Sequence, residues 1–302
     1  MFRVWVSDSD FTVPLQEGES PVNAPESNEP LPSNRAPVLD VGFHVVRAHP
    51  SGPFMWLGKI APSLAFYPQM CYTVWRGAWL SKRNLYGDAE WVNSSLGMLR
   101  GLESVGVKVD VQNVEAFIQL DQPCVFIGNH MSTLETFVLP SIIQPYRQVT
   151  FVVKQSLLEY PVFKHLMRSR NPIAVGRTNP REDLVQVMEG GIERLKNGTS
   201  IILFPQTTRT TEFDPKHFNS IGIKLARRAG VPVVPIALKT DAWTNGRFIK
   251  DFGPIHPERP VHIHFGEPFL VEGAGKEEHE RIVAFIQSKL ETWRQQDGEN
   301  SR

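Results

Sequence analysis

Three things are scarce in this chain: cysteine, an excess of charge of either sign, and long uninterrupted apolar runs. Cys71 and Cys124 are the only cysteines in 302 residues, which excludes a disulfide framework and zinc-type cysteine spacing and makes a reducing compartment the default. Basic and acidic residues number 32 each. A net charge of zero argues against a general nucleic-acid binder, which carries a clear basic excess. Residues 1–10 contain no apolar h-region with a small-residue cleavage site, so no secretory signal is expected. A membrane-spanning helix needs about twenty apolar residues in a row, but the stretch Ile60–Leu80 is interrupted by Pro62, Pro68, Gln69 and Arg76. There is no G-x-S-x-G elbow to make Ser132 or Ser156 a hydrolase nucleophile, and no internal repeat.

With 41% hydrophobic residues the chain can build one sizeable core plus appendages. Six prolines between Pro14 and Pro37, set among Glu, Ser and Asn, read as a disordered linker. The expected organisation is a strand-like start and linker over 1–41, an aromatic-rich helical region over 42–105 and an α/β domain over 106–302. In the second region Trp56, Phe66, Tyr67, Tyr72, Trp75 and Trp79 precede Lys82-Arg83. Such a run suits the bilayer interface, where amphipathic rings settle among headgroups; the alternative is a helical hairpin buried on the α/β domain. Asn84–Val105 reads as an amphipathic helix turned to the core.

From there strands and helices alternate. Strands are expected at 107–111, 123–128, 148–153, 172–176, 200–204, 232–238 and 261–266, with helices at 132–143, 157–169, 180–196, 216–229 and 276–295. The fold class is therefore α/β: a mixed, mainly parallel sheet flanked by helices on both faces, with an N-terminal helical membrane-docking segment. Asn179-Pro180 gives the helix at 180 a cap and an N1 proline, and Asn197-Gly198 ends it.

Four consecutive strands finish in chemically useful side chains: His130, Lys154, Arg177 and Arg209. Ligands of open α/β sheets bind at the carboxyl ends of the strands, so one base and three cations would surround a single crevice fit for an anion. His130 is followed five residues later by Glu135. A carboxylate on one imidazole nitrogen fixes the tautomer and stabilises the imidazolium formed when the other nitrogen takes a proton. On a continuous helix a five-residue step separates two side chains by roughly 140°, so His130 must lie in the turn before the helix, with Ser132 as N-cap and Glu135 at N3. The same letters also spell a capping box, Ser132-x-x-Glu135, in which the glutamate bonds only backbone. His262 and His264 share a strand face but have no metal-type partners in the motif, so no metal is expected. Arg227-Arg228 complements a helix dipole. Lys239, Asp241 and Trp243, just past the strand at 232–238, are candidates for the crevice wall.

Asn129-His-Met-Ser-Thr-Leu-Glu135 matches N-H-x-S-x-x-D/E, the first motif of the glycerol-3-phosphate and lysophosphatidic acid acyltransferases, and the chain resembles that family. Phe204-Pro-Gln-Thr-Thr-Arg-Thr210 is similar to its F-P-E-G-T-R-S motif, Lys154 to Pro161 to its K-x-x-L-x-x-x-P stretch, and Val231-Pro-Val-Val-Pro235 to its V-P-I-V-P strand; Arg177 stands where the second motif ends in arginine. The resemblance covers roughly residues 106 to 270, with the motifs in family order. The departures are Gln206-Thr207 for Glu-Gly, Asn171 for a glycine, Ala174 for a phenylalanine and Glu135 for the commoner Asp.

The resemblance implies an O-acyltransferase of phospholipid biosynthesis. It would move a fatty acyl group from acyl-CoA or acyl carrier protein to the hydroxyl of a lysophospholipid or glycerol phosphate, with no cofactor beyond that co-substrate. His130 would be the general base oriented by Glu135. Asn129, Ser132, Lys154, Arg177, Gln206, Thr207, Thr208 and Arg209 would bind substrate. The expected location is the cytoplasmic face of a membrane, peripheral or monotopic. The alternatives are a non-catalytic lipid-binding relative and, further off, a thioesterase.

Overall fold

The structure, a computed structural model, describes residues 58, 60–160, 163–206, 208–247 and 249–300. The strand-like start and proline-rich linker expected over 1–41 lie outside the described residues, as do Trp56 and Thr207. Two helices open the described chain, α1 (Pro62–Ser81) and α2 (Asp88–Ser104). The elements that follow are β1 (Val109–Gln112), α3 (Glu115–Ile118), β2 (Val125–Gly128), α4 (Leu134–Ile143), β3 (Val149–Lys154), α5 (Phe163–Arg168), β4 (Ile173–Val175) and α6 (Pro180–Lys196). The chain closes with β5 (Ser200–Leu203), α7 (Ile221–Ala229), β6 (Val233–Lys239), β7 (Val261–Phe265) and α8 (Lys276–Asn300).

The strands form one sheet in the order β1-β7-β6-β2-β5-β3-β4. Every neighbouring pair is parallel except β6 with β7, so the mixed, mainly parallel sheet expected from the sequence is the one found. β2 reads Val-Phe-Ile-Gly and all four residues are buried, because helices cover both sides and alternate residues enter different layers. Cys124 and Phe126 join Phe66, Met70, Met98, Leu102, Leu134 and Val138 on the α1, α2 and α4 face. Val125 and Ile127 join Val187, Leu225, Ile282 and Ile286 on the α6, α7 and α8 face. Each such side chain contributes about 1.5–3 kcal/mol by leaving water.

After β2 the chain moves to β3 and β4, returns to insert β5 beside β2, then crosses to place β6 on β2's other side. That reversal makes the carboxyl ends of β2 and β5 the switch point of the sheet, the place where ligands of open α/β sheets bind. Gly128 ends β2 against β6: a Cβ there would meet the Ile236 carbonyl oxygen at 3.0 Å, so only glycine leaves the strands their spacing at that point.

Several expected elements differ in extent. The helix expected at 157–169 is a 3-10 turn at Gln155–Leu158 followed by α5, because Tyr160 precedes a proline and such a residue disfavours helical backbone. The helix expected at 216–229 begins only at Ile221, where Asn219 Oδ1 accepts from the Ile221 N–H at 3.0 Å. The helix expected to start at Ser132 starts at Leu134, with Thr133 as N-cap. Single-turn α3 had no periodicity to read. Asn179 does cap α6, accepting from the Arg181 N–H at 3.1 Å.

On α1 the aromatic run divides between core and solvent. Phe66 and Met70 are buried in the core. On the opposite side Leu64, Tyr72, Trp75 and Trp79 are exposed, and their spacing of eight, three and four residues places them on one stripe. No helix among the described residues is long and apolar enough to cross a membrane.

Candidate active site

His130 sits in the turn between β2 and α4, where the carboxyl end of the sheet meets the start of a helix. Its Nδ1 lies 2.9 Å from Glu135 Oε1. Glu135 is fully buried, yet it is surrounded by donors. Oε1 also accepts from the backbone N–H groups of Met131 at 2.7 Å and Ser132 at 3.0 Å. Oε2 accepts from the hydroxyls of Ser132 at 2.9 Å and Thr240 at 2.7 Å. The glutamate therefore does more than a capping box would, since the oxygen that takes the Ser132 N–H also faces the imidazole. Burial by itself pushes the carboxyl upward in pKa, but the hydrogen bond and charge of His130, the Thr240 hydroxyl and the Ser132 backbone outweigh it and hold the group below its ordinary value. Glu135 is thus an anion at neutral pH, fit to favour the imidazolium.

The imidazole is fixed on its faces as well. Phe204, at the end of β5, stacks on it with 4.5 Å between ring centres and 4° between planes. The backbone of His130 is sewn to the β5 loop: its N–H donates to Gln206 Oε1 at 2.7 Å, its carbonyl accepts from the Thr210 N–H at 3.0 Å, and Gln206 Nε2 donates to Thr210 Oγ1 at 3.0 Å. Nε2 of His130 makes no hydrogen bond to any described residue, and the side chain keeps 13% of its surface in solvent. A base with one nitrogen held and the other open is what proton abstraction requires.

The cations are distributed along the same end of the sheet. Arg209 reaches Thr133 and pairs with Asp251 at 2.7 Å. Arg177 ends β4 with φ 60, a left-handed conformation uncommon for a residue with a side chain. Partial desolvation lowers its pKa and the positive charge of Arg209 lowers it further, against the pull of Asp183, so the two guanidinium groups share one region. Lys154 is exposed at the end of β3 and makes no polar contact with described residues. Strands lie about 4.8 Å apart, which puts the backbones of Lys154 and Arg177 roughly 10 and 14 Å from that of His130.

Three residues expected to touch substrate are buried instead. Asn129 is buried and spends its amide on Leu238, donating to the carbonyl at 2.7 Å and accepting from the N–H at 2.9 Å, which ties β2 to β6. Gln206 is buried and bridges the two loops. Both hold the His130 turn in place. Ser132 is likewise enclosed, bonded to Glu135, Thr240 and the Leu134 N–H. Thr208 is exposed in the loop. Lys239, Asp241 and Trp243 do not form the crevice wall: Lys239 pairs with Asp297 at 2.7 Å and Asp241 at 3.2 Å, and Trp243 is core, stacked on Phe137. Thr240, between them, is the functional residue the sequence reading passed over. Its one signal is position, as the first residue beyond the strand that runs parallel to β2. Asp251 carries no motif at all.

Concavities of about 240 Å³, including His264, Arg281 and Lys289, and 360 Å³, including Gln186 and Arg194, lie on other parts of the molecule. Chemistry, not hollow volume, marks the site. Among the described residues no group of three or more His, Cys, Asp or Glu is arranged to hold a metal ion.

Residues 108–239 match the family model described as Acyltransferase. A 1-acyl-sn-glycerol-3-phosphate acyltransferase of Pseudomonas aeruginosa is 32% identical over 189 residues, spanning 62% of this chain and 68% of the relative. The chain belongs to the 1-acylglycerol-3-phosphate acyltransferase family. As a member it is an acyltransferase. A chloroplast 1-acyl-sn-glycerol-3-phosphate acyltransferase of Brassica napus is 33% identical over 131 residues, 43% of this chain and 37% of that one. The crystal structure of the 1-acyl-sn-glycerophosphate acyltransferase PlsC from Thermotoga maritima has a TM-score of 0.58 at 21% identity, covering 80% of this chain and 98% of that chain, and shares the fold.

Two departures from the family motifs in this acyltransferase, Asn171 and Gln206, have local explanations. Asn171, in a glycine's place, adopts φ 45, which asparagine tolerates better than other residues with a side chain; its carbonyl and Oδ1 both accept from Arg194 at 2.8 Å. Glutamine at 206 accepts from the His130 N–H as a glutamate would and adds a donor for Thr210. Nothing in the structure explains Ala174.

Proposed function

We propose that this acyltransferase moves a fatty acyl group from a thioester, acyl-CoA or acyl carrier protein, to the free hydroxyl of a 1-acylglycerol 3-phosphate, with His130 as general base. The observation that carries this reading is the imidazole held by Glu135 at 2.9 Å through Nδ1, with Nε2 free of any described partner. The acceptor hydroxyl oxygen attacks the thioester carbonyl carbon, the C–O bond forms, and its proton passes to His130 Nε2. The C–S bond then breaks and the proton goes to the departing thiolate. Glu135 carries the charge balance while the imidazolium exists. General-base help of this kind is worth about 10²–10⁴ in rate, and positioning of hydroxyl against thioester supplies much of the remainder. Arg209 and Arg177 face the acceptor's phosphate, with Lys154 at the outer margin.

Docking on the cytoplasmic face of a membrane belongs to the same proposal, supported by the exposed stripe Leu64, Tyr72, Trp75 and Trp79 with Lys82 and Arg83 after it. An exposed apolar stripe of this size marks an interaction surface. The test is acyl transfer by purified protein from acyl-CoA and from acyl carrier protein to 1-acylglycerol 3-phosphate and other lysolipids, compared with His130→Ala. Transfer lost in the variant supports the reading. Equal turnover by both proteins, or hydrolysis of the thioester with no acylated acceptor, ends it.

A further inference from the structure

Arg209 is held by a carboxylate that no motif announces. Asp251 Oδ1 accepts from Arg209 Nη1 at 2.7 Å and from the Thr133 hydroxyl at 2.9 Å. Asp251 comes from the long connection between β6 and β7, and tertiary contacts brace that connection: Phe252 stacks on Tyr67 of α1 with ring centres 5.1 Å apart, and the Tyr67 hydroxyl donates to the Gly253 carbonyl. Thr133 is the N-cap of the helix that carries Glu135. The carboxylate therefore links the arginine to the rigid elements on both sides of the base. Only Nη1 of Arg209 is used; Nη2 and Nε bond to no described residue. That free edge is the fork that grips a phosphate with two parallel bonds.

We propose that Asp251 is a positioning residue for acceptor selection: it fixes Arg209 so that the unspent edge of the guanidinium faces the anionic head of the acceptor. This rests on the acceptor reading given above. A mere surface ion pair would leave substrate binding untouched, since Arg209 is 20% and Asp251 40% exposed and such pairs add little stability. Asp251 lies between Ile249 and Phe252, which are 60% and 47% exposed, so the clamp sits on a loop whose neighbours present apolar side chains outward.

The experiment is calorimetric binding of 1-acylglycerol 3-phosphate and of neutral monoacylglycerol, each in mixed detergent micelles, to the full chain and to Asp251→Asn and Asp251→Glu. Acyl-transfer kinetics are measured in parallel. Asp251→Asn is expected to weaken binding of the phosphate-bearing lipid about 10-fold and raise its KM alike, with kcat, binding of the neutral lipid and melting temperature unchanged. Asp251→Glu recovers part of the loss. Unchanged or tighter anion binding in Asp251→Asn overturns the proposal, the tighter case showing that Asp251 competes with the acceptor, and an equal loss for both lipids overturns it by showing a structural defect. Wild-type protein that fails to bind the phosphate-bearing lipid overturns it too. If the binding pattern holds while the wild type transfers no acyl group, the acyltransfer reading fails and the clamp stands.

Discussion

Among the described residues His130 and His262 are the two mostly buried histidines that pair with a carboxylate, and they differ at the second ring nitrogen. His130 has Glu135 on Nδ1 at 2.9 Å and leaves Nε2 without a described partner. His262 has Asp110 on Nδ1 at 3.3 Å and Asp297 on Nε2 at 3.6 Å, with Trp293 stacked on its ring at 5.1 Å. Both rings lie against an aromatic face and are mostly buried, at 13% and 12% side-chain exposure. A histidine whose second nitrogen is buried 3.6 Å from another carboxylate, without a hydrogen bond, packs β1, β7 and α8 together; one with no carboxylate beside its second nitrogen keeps an edge for chemistry. A neighbouring carboxylate is therefore no mark of catalysis until the second nitrogen has been followed.

The hardest test of that contrast is His130→Ala, for which turnover is expected to fall by about 10²–10⁴, with a lower melting temperature as well because buried Glu135 loses its main partner. His262→Ala in the same acyl-transfer assay should stay within a few-fold of wild type; comparable losses in both would erase the distinction. Next in size is Glu135→Ala, which strands five donors in a dry site and should cost about 3–5 kcal/mol in urea denaturation. Because the Glu135 pKa is depressed in the folded state, its stabilisation is complete above the ordinary carboxylate range and is lost as pH falls through the folded value. An Ala variant that matches wild type at neutral pH would contradict the count of bonds.

Glu103 sharpens the comparison from the other side. It is a buried carboxylate whose two oxygens have no hydrogen-bond partner, and burial pushes its pKa up to about 7, with Arg100 pulling weakly the other way. Between the unfolded value and about 7 the folded state holds the proton and the unfolded state does not, so stability falls as pH rises through that window. Glu103→Gln should flatten the slope and raise stability at pH 8 by about 1–3 kcal/mol, read from melts at pH 5 and pH 8; an unaltered slope would mean another group sets it. The smallest effect is the stability loss in His262→Ala, about 1–2 kcal/mol by denaturation, as expected for a brace at the sheet's edge.

Much of the site could be read in the chain because its parts are local. His130, Ser132 and Glu135 lie within six residues and their geometry follows from a strand running into a helix. The correction of the helix start from Ser132 to Leu134 left that geometry intact, since the carboxylate reaches back in either register. Thr240 and Asp251 were not readable, being brought to Glu135 and Thr133 from more than a hundred residues away by strand order and by a loop without a pattern. Asn129 and Gln206 were readable as motif letters but not as braces, because only the paired strand and loop show where their amides point.

Sequence alone determined the α/β alternation, the placing of His130 at a strand end, and its closeness to Glu135. Those follow from side-chain period, turn residues and short spacing, which act before distant segments meet. The tertiary structure decided which histidine has its second nitrogen buried beside another carboxylate, which cation is clamped, and whether a buried carboxylate is pushed up or held down in pKa. Each of these depends on groups that arrive from elsewhere in the chain, and a carboxylate's charge in a dry interior is set by the donors that surround it.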